Sequence, residues 1–346
     1  MLADGVYDHD GPIEARSGHR LWALNPPRRG VPHATLRFGL SFGEHPRFAV
    51  RGLGFQIAER GQAAVDNSYL AAVLNHVNDS SVGGLITDCV IDGGFAVTQG
   101  IQFGCPPGAV VRRCVIFRCT DEGVRISDNQ FDSRVEISAI SDLRVRQIAR
   151  SPRGASDGTA EAGLWVGHRV AGGVRRIHVR DTGWMGLWTG NACRGTVFSD
   201  LDLDAASGNV PASGDVASFG LYLEKYNGVR GSAQGGNTYE RFEIGPSLDV
   251  GIVNEWDHEQ AGEQASNGSV FRDGRIRSRQ IGISLDEGTL SPVVENVWFS
   301  GQRDAAIVDG TNRPPARDAA SSSARISDIH LSGLRGGARI RYRGAS

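Results

Sequence analysis

The feature that most restricts this chain is a short apolar pattern that returns along almost its whole length. An apolar residue, two intervening positions, and then two apolar residues separated by one recur about ten times. The series runs from Val50/Leu53/Phe55, Ile86/Cys89/Ile91 and Val111/Cys114/Ile116 to Val294/Val297/Phe299 and Ile326/Ile329/Leu331. The position just before the second apolar residue is polar and turn-favouring in most copies: Asp88, Arg113, Asp142, Arg176, Asp200, Arg241, Asp273, Asn296 and Asp328. A polar corner followed by a short alternating strand predicts one side of a coil whose strands pair only with the coils above and below.

A second unit follows each of the first, with a small residue ahead of an alternating strand. Its leading residues are Gly100, Gly123, Gly163, Gly186, Gly220, Gly251, Gly282 and Ala306, as in QGIQFG, EGVRIS and MGLWTG. A glycine there suits either a positive φ or a close backbone approach. The shortest intervals, 100 to 123 and 163 to 186, each hold two strands and two turns, and longer intervals hold insertions.

These two units resemble the right-handed parallel β-helix of the pectate-lyase-like type, over roughly residues 34 to 345. The resemblance implies an all-β solenoid of about ten rungs forming a single domain over 1–346, with 1–45 as an N-terminal cap or first coil and 46–345 as rungs. Residues 61–78 read as a short helix or an irregular coil. Gly-, Ser- and Ala-rich inserts at 150–162, 205–218, 256–268 and 310–324 read as surface loops. The fold type hosts lyases, glycoside hydrolases, epimerases, phage tailspikes and adhesins, so function has to be argued from the site.

Composition narrows the partners. The 346 residues carry a net charge of −2, which gives no global basic field for nucleic acid or an anionic membrane. No apolar run is long enough to span a bilayer, and the start lacks the basic and apolar regions of a secretory signal. A cytoplasmic protein is expected, or a secreted one if a leader has been removed. Cys89, Cys105, Cys114, Cys119 and Cys193 have neither zinc spacing nor the even count of a disulfide framework, and read as reduced. Lys225 is the only lysine among 37 basic residues.

Register then turns the repeat into columns. Residues one and three after each leading glycine should point inward, and residues two and four outward, one rung of about 4.8 Å above their counterparts. The second-place column contains Trp165, Trp188 and Tyr222, expected to face solvent as a platform on which sugar rings stack, or to pack under a loop or subunit interface. The fourth-place column contains Glu224, Glu255 and Asp286 on adjacent rungs, above glycines. Like charges at that spacing should raise at least one carboxyl pKa. At the strand exits stand His168, Asn191, Lys225 and Trp256, with Asp257 and His258 just beyond.

Four chemistries fit this face. The first is cleavage of a glycosidic bond by two carboxylates, Glu224 with Glu255 or with Asp286. The second is elimination or C5-epimerisation of a uronate, with Lys225 as base or neutraliser and Tyr226 or His168 as partner. It alone calls for a cofactor, Ca²⁺ on the acids; otherwise no cofactor or metal is expected. NEWDHEQ (254–260) is similar to the Asp-Pro-His-Glu motif of alginate epimerases but lacks its proline, so Asp257, His258 and Glu259 match in part. The polygalacturonase motifs of the fold are absent. The third is isomerisation or cyclisation of a small polar metabolite inside the cell. The fourth is a non-enzymatic binding or adhesive module, for which the resemblance allows a homotrimer. The expected partner is thus an oligo- or polysaccharide, or a small polar metabolite.

Overall fold

The computed structural model describes residues 1–15, 18–28, 30–42, 47–66, 69–75, 83–104, 108–126, 136–148, 162–190, 193–204, 218–224, 236–255, 268–286, 289, 291–310, 324–335 and 338–342. Among these the two sequence units become two long sheets. Sheet A, with 15 strands, is built from the first unit, and sheet B, with 13, from the second. Apart from one antiparallel hairpin, pairing within both sheets is parallel and joins each coil to the next, as in Val110–Cys119 with Ala139–Ile148 and Ala162–Val166 with Met185–Thr189. This is a parallel β-helix, and no α-helix occurs among the described residues.

The inward columns fill a continuous core. Ile101, Phe103, Val124, Ile126, Leu164, Val166, Leu187, Leu221, Leu223, Ile252, Ile283 and Leu285 are all buried, as the alternation requires. The polar corners of sheet A are left-handed. Asp88, Arg113, Asp142, Arg176, Asp200, Arg241, Asp273, Asn296 and Asp328 have φ between 50° and 58°. Asp and Asn tolerate that region, whereas arginine does not adopt it readily. Each corner arginine is tied to the acid one coil below: Arg113 donates to Asp88 at 2.6 and 2.9 Å, Arg176 to Asp142 at 2.5 and 2.9 Å, and Arg241 to Asp200 at 2.8 Å. These hydrogen bonds hold the Asp88, Asp142 and Asp200 carboxyls below their ordinary value.

The glycines of sheet B are explained by close approach, not by dihedral angle, since none of them has a positive φ. A methyl group on Gly100, Gly123, Gly163, Gly186, Gly220 or Gly251 would come within 2.5–2.8 Å of the carbonyl oxygen of the next residue in the same column. It would also press on a branched side chain of sheet A, such as Val145, Val179 or Ile244.

Two expectations change. Residues 61–78, where described, are mainly strand: only the end of the short 3-10 helix Arg60–Gln62 is helical, and Ala64–Asp66 pairs antiparallel with Tyr69–Asn75, which is itself a rung of sheet B. The first 45 residues also contribute more than a single coil. Gly5–Tyr7, Arg20–Trp22 and Ala34–Leu36 join sheet A, while Ile13–Glu14 and Leu40–Ser41 join sheet B. The four described cysteines are buried and unbridged, and Cys105 lies outside the described residues.

Gly220→Ala should therefore lower stability by about 1–3 kcal/mol through overpacking, read as a drop in the urea midpoint. Gly61→Ala, where nothing lies within 4 Å of the added methyl, should leave the midpoint nearly unchanged.

Candidate functional site

The second-place column forms as the register requires. Gln102 pairs with Arg125, Arg125 with Trp165, Trp165 with Trp188, Trp188 with Tyr222, and Tyr222 with Val253. Its exposure differs from the expectation. Trp165 and Trp188 are only 4% and 8% exposed, so they do not offer open faces for sugar rings. They stack on one another at 4.3 Å with 9° between their planes, and the Arg125 guanidinium covers Trp165 at 3.6 Å. With Met185, Ala162, Trp184, Phe219 and Tyr222 they make a second apolar cluster on the outside of sheet B, separate from the solenoid core. Trp184, Phe219 and Tyr222 are its half-buried members.

Arg125 is anchored in turn. Its guanidinium donates to Glu122 at 3.0 Å, and Glu122 accepts from the Gln99 amide at 2.7 Å; Gln99 also donates to Asp121 at 3.1 Å. All four are buried. Sequence reasoning passed over this group, because Gln99 and Glu122 stand just before the leading glycines, a column that is apolar at the upper rungs. The signal available was the pair of polar residues at that place on two successive coils.

The acidic column also forms. The backbone N–H groups of Glu224, Glu255 and Asp286 donate to Thr189, Leu223 and Asn254 of the coil below at 2.8, 3.0 and 3.0 Å, which sets the acids on consecutive rungs. All three are half-buried. The Glu224 carboxylate leans down over Gly190, with Oε2 2.9 Å from where a Cβ would stand, so the glycine beneath it makes room for the acid. The Tyr222 hydroxyl donates to Glu255 Oε2.

This packing moves protons. Burial first, and the Glu255 charge second, push the Glu224 carboxyl up to about 8, against weaker opposition from the Trp188 indole N–H and the Arg125 charge. Burial and the same Glu255 carboxylate raise the Tyr222 phenol well above its ordinary value, so Tyr222 stays a hydrogen-bond donor. At neutral pH the site thus offers a protonated Glu224 beside Glu255 and its tyrosine partner.

Of the other expected residues, His168 is fully buried. Asn191, Lys225, Tyr226, Trp256, Asp257 and His258 lie outside the described residues, as do 150–161, 205–217, 256–267 and 311–323 of the expected inserts. Among the described residues no three His, Cys, Asp or Glu side chains are grouped to hold a metal ion.

No protein-family model and no curated protein sequence matches the chain. Solved structures do. PfbA, a surface adhesin of Streptococcus pneumoniae, superposes with a TM-score of 0.61 at 11% identity, over 98% of this chain and 84% of its own. The AlgE6 A-module, a mannuronan C-5 epimerase of Azotobacter vinelandii, gives 0.48 at 10% identity, over 96% and 90%. The Agl-KA catalytic domain gives 0.44 at 11% identity, over 99% and 62%. At these identities the likeness concerns the fold, and with the parallel sheets it makes the chain a right-handed parallel β-helix.

The raised Glu224 value carries a stability signature. The folded chain holds this proton more tightly than the unfolded one, whose carboxyl titrates near 4.5. The resulting stabilisation is complete below that value, declines as pH rises, and is lost above about 8. Glu224→Gln removes the titration, so relative to the native chain it should gain about 1–3 kcal/mol between pH 5 and pH 8, measured by urea unfolding at both pH values.

Proposed function

We propose that this protein is a carbohydrate-active enzyme that cleaves a glycosidic bond, with Glu224 as the general acid and Glu255 as its partner carboxylate. The observation that carries this reading is a carboxyl held protonated to about pH 8 one rung from a second carboxylate that accepts a tyrosine hydroxyl. Such pairs, one acid kept neutral and one kept charged by their surroundings, divide the labour of glycoside cleavage.

The rung spacing of about 4.8 Å is near the roughly 5 Å that separates the carboxyl groups of retaining enzymes. Glu224 would protonate the leaving oxygen while Glu255 attacks the anomeric carbon. In the second half, Glu224, now a carboxylate, would take a proton from the water that releases the sugar. Tyr222 would hold Glu255 in place and stay neutral throughout. Asp286, a further rung along, stands about two spacings from Glu224, closer to the inverting separation, and is the alternative partner.

The test is turnover of a panel of neutral and acidic oligosaccharides, followed by new reducing ends and by the ultraviolet absorbance of unsaturated products. Reducing ends without that absorbance are expected, with activity falling as pH rises through about 8. Glu224→Gln and Glu255→Gln should each cost about 10²–10⁴-fold. On an aryl glycoside with a good leaving group, which needs no acid, Glu224→Gln should recover its first step and Glu255→Gln should not. Unsaturated products, or turnover indifferent to both substitutions, would overturn the assignment.

A further inference from the structure

A second feature lies at the corner where each coil leaves sheet A for sheet B, on the upper rungs. Arg277, Arg279, Arg303 and Arg335 line a groove of about 590 Å³ together with Ser300 and Ser332, and no acidic side chain is in its lining among the described residues. The coil ladder fixes their order. The Arg303 N–H donates to the Arg279 carbonyl at 3.0 Å and the Arg335 N–H to the Gln302 carbonyl at 2.9 Å, so Arg279, Arg303 and Arg335 occupy successive coils. Ser300 and Ser332 are strand partners in the same register.

Among the described residues, two of the four arginines have acidic partners. Arg277 donates to Glu243 at 2.5 Å and Arg279 contacts Asp249 at 2.9 Å, while the Arg279 Nε is buried with no hydrogen-bond partner among the described residues. Arg303 and Arg335 are exposed. Asp304, next to Arg303 in the chain, does not line the groove. Like charges one rung apart repel, and a chain of net charge −2 has no general excess of cations to scatter here. The guanidinium fork matches carboxylate and sulfate groups two bonds at a time.

We infer that this groove binds an acidic polysaccharide, with its carboxylate or sulfate groups seated along Arg279, Arg303 and Arg335 and its hydroxyls on Ser300 and Ser332. A line of cations repeating every 4.8 Å or so suits a linear polymer whose acid groups recur along an extended chain, one pyranose being of similar length. Single-stranded nucleic acid would call for aromatic stacking partners, and a membrane surface for an apolar rim; the lining contains neither. The groove is also separate from the carboxylate site. Arg279 and Arg303 precede the sheet B strands Ile281–Leu285 and Ala305–Asp309, whereas Glu255 and Asp286 follow theirs.

The test is calorimetric titration with a hexagalacturonate and a heparin-derived hexasaccharide, with cellohexaose as the neutral control. Binding of either acidic probe and not of the neutral one is expected, weakened by added salt. Arg303→Ala with Arg335→Ala should weaken it about tenfold or more, with an unchanged circular-dichroism melt. The corresponding double lysine variant should retain part of the affinity, and Arg20→Ala, exposed at the other end of the solenoid, should retain all of it. Glu224→Gln should bind as the native chain does, which separates this site from the fate of the catalytic reading. No binding, equal binding of cellohexaose, or equal binding of single-stranded DNA or phosphatidylserine vesicles through the same two arginines would overturn the inference.

Discussion

Each coil of this protein satisfies its strand N–H and C=O groups on the coils above and below, and that pairing governs everything else in the structure. Parallel ladders fix the spacing between equivalent residues at one rung, so any residue type that recurs in the repeat becomes a column. The glycines of sheet B are the tightest expression of this constraint. A methyl group at most of them would meet the next carbonyl oxygen of the column on one side and a sheet A side chain on the other, so the small residue is what allows the two sheets to close on one core.

The same rule concentrates charge. At the corners of sheet A it alternates acid and arginine, and each left-handed arginine is held by the aspartate beneath it. At the exit of sheet B it stacks Glu224, Glu255 and Asp286 without alternation, and one of them responds by keeping its proton. At the entrance to sheet B it aligns Arg279, Arg303 and Arg335 along a groove whose described lining holds no acid, although Arg279 also meets Asp249 to one side. A solenoid can neutralise a column within itself, as at the corners, or leave it only partly compensated, as with these acids and arginines, and a ligand then has something to meet.

The buried tryptophans change the account of the carboxylate site. They serve as its wall: Arg125, Trp165 and Trp188 form a stack that ends at the indole N–H beside Glu224. Apolar packing on one side, and Glu255 on the other, are what separate Glu224 from an ordinary surface glutamate.

The repeat by itself determined the two-sheet solenoid, the inward columns from Ile101 to Leu285, the polar corners and the sharing of one face by Glu224, Glu255, Tyr222 and the tryptophans. These follow from periodicity, because a period-two strand on a fixed rung leaves one choice of face for each residue. Other features were decided only when the coils were stacked and their surroundings filled: the burial of Trp165 and Trp188, the lean of Glu224 over Gly190, the hairpin at 64–75, the anchoring of Arg125 by Glu122 and Gln99, and the alignment of Arg279, Arg303 and Arg335. Register says which way a side chain leaves the backbone, whereas solvent exposure, rotamer and protonation depend on what the neighbouring coils and turns place around it, and those neighbours are distant in the chain.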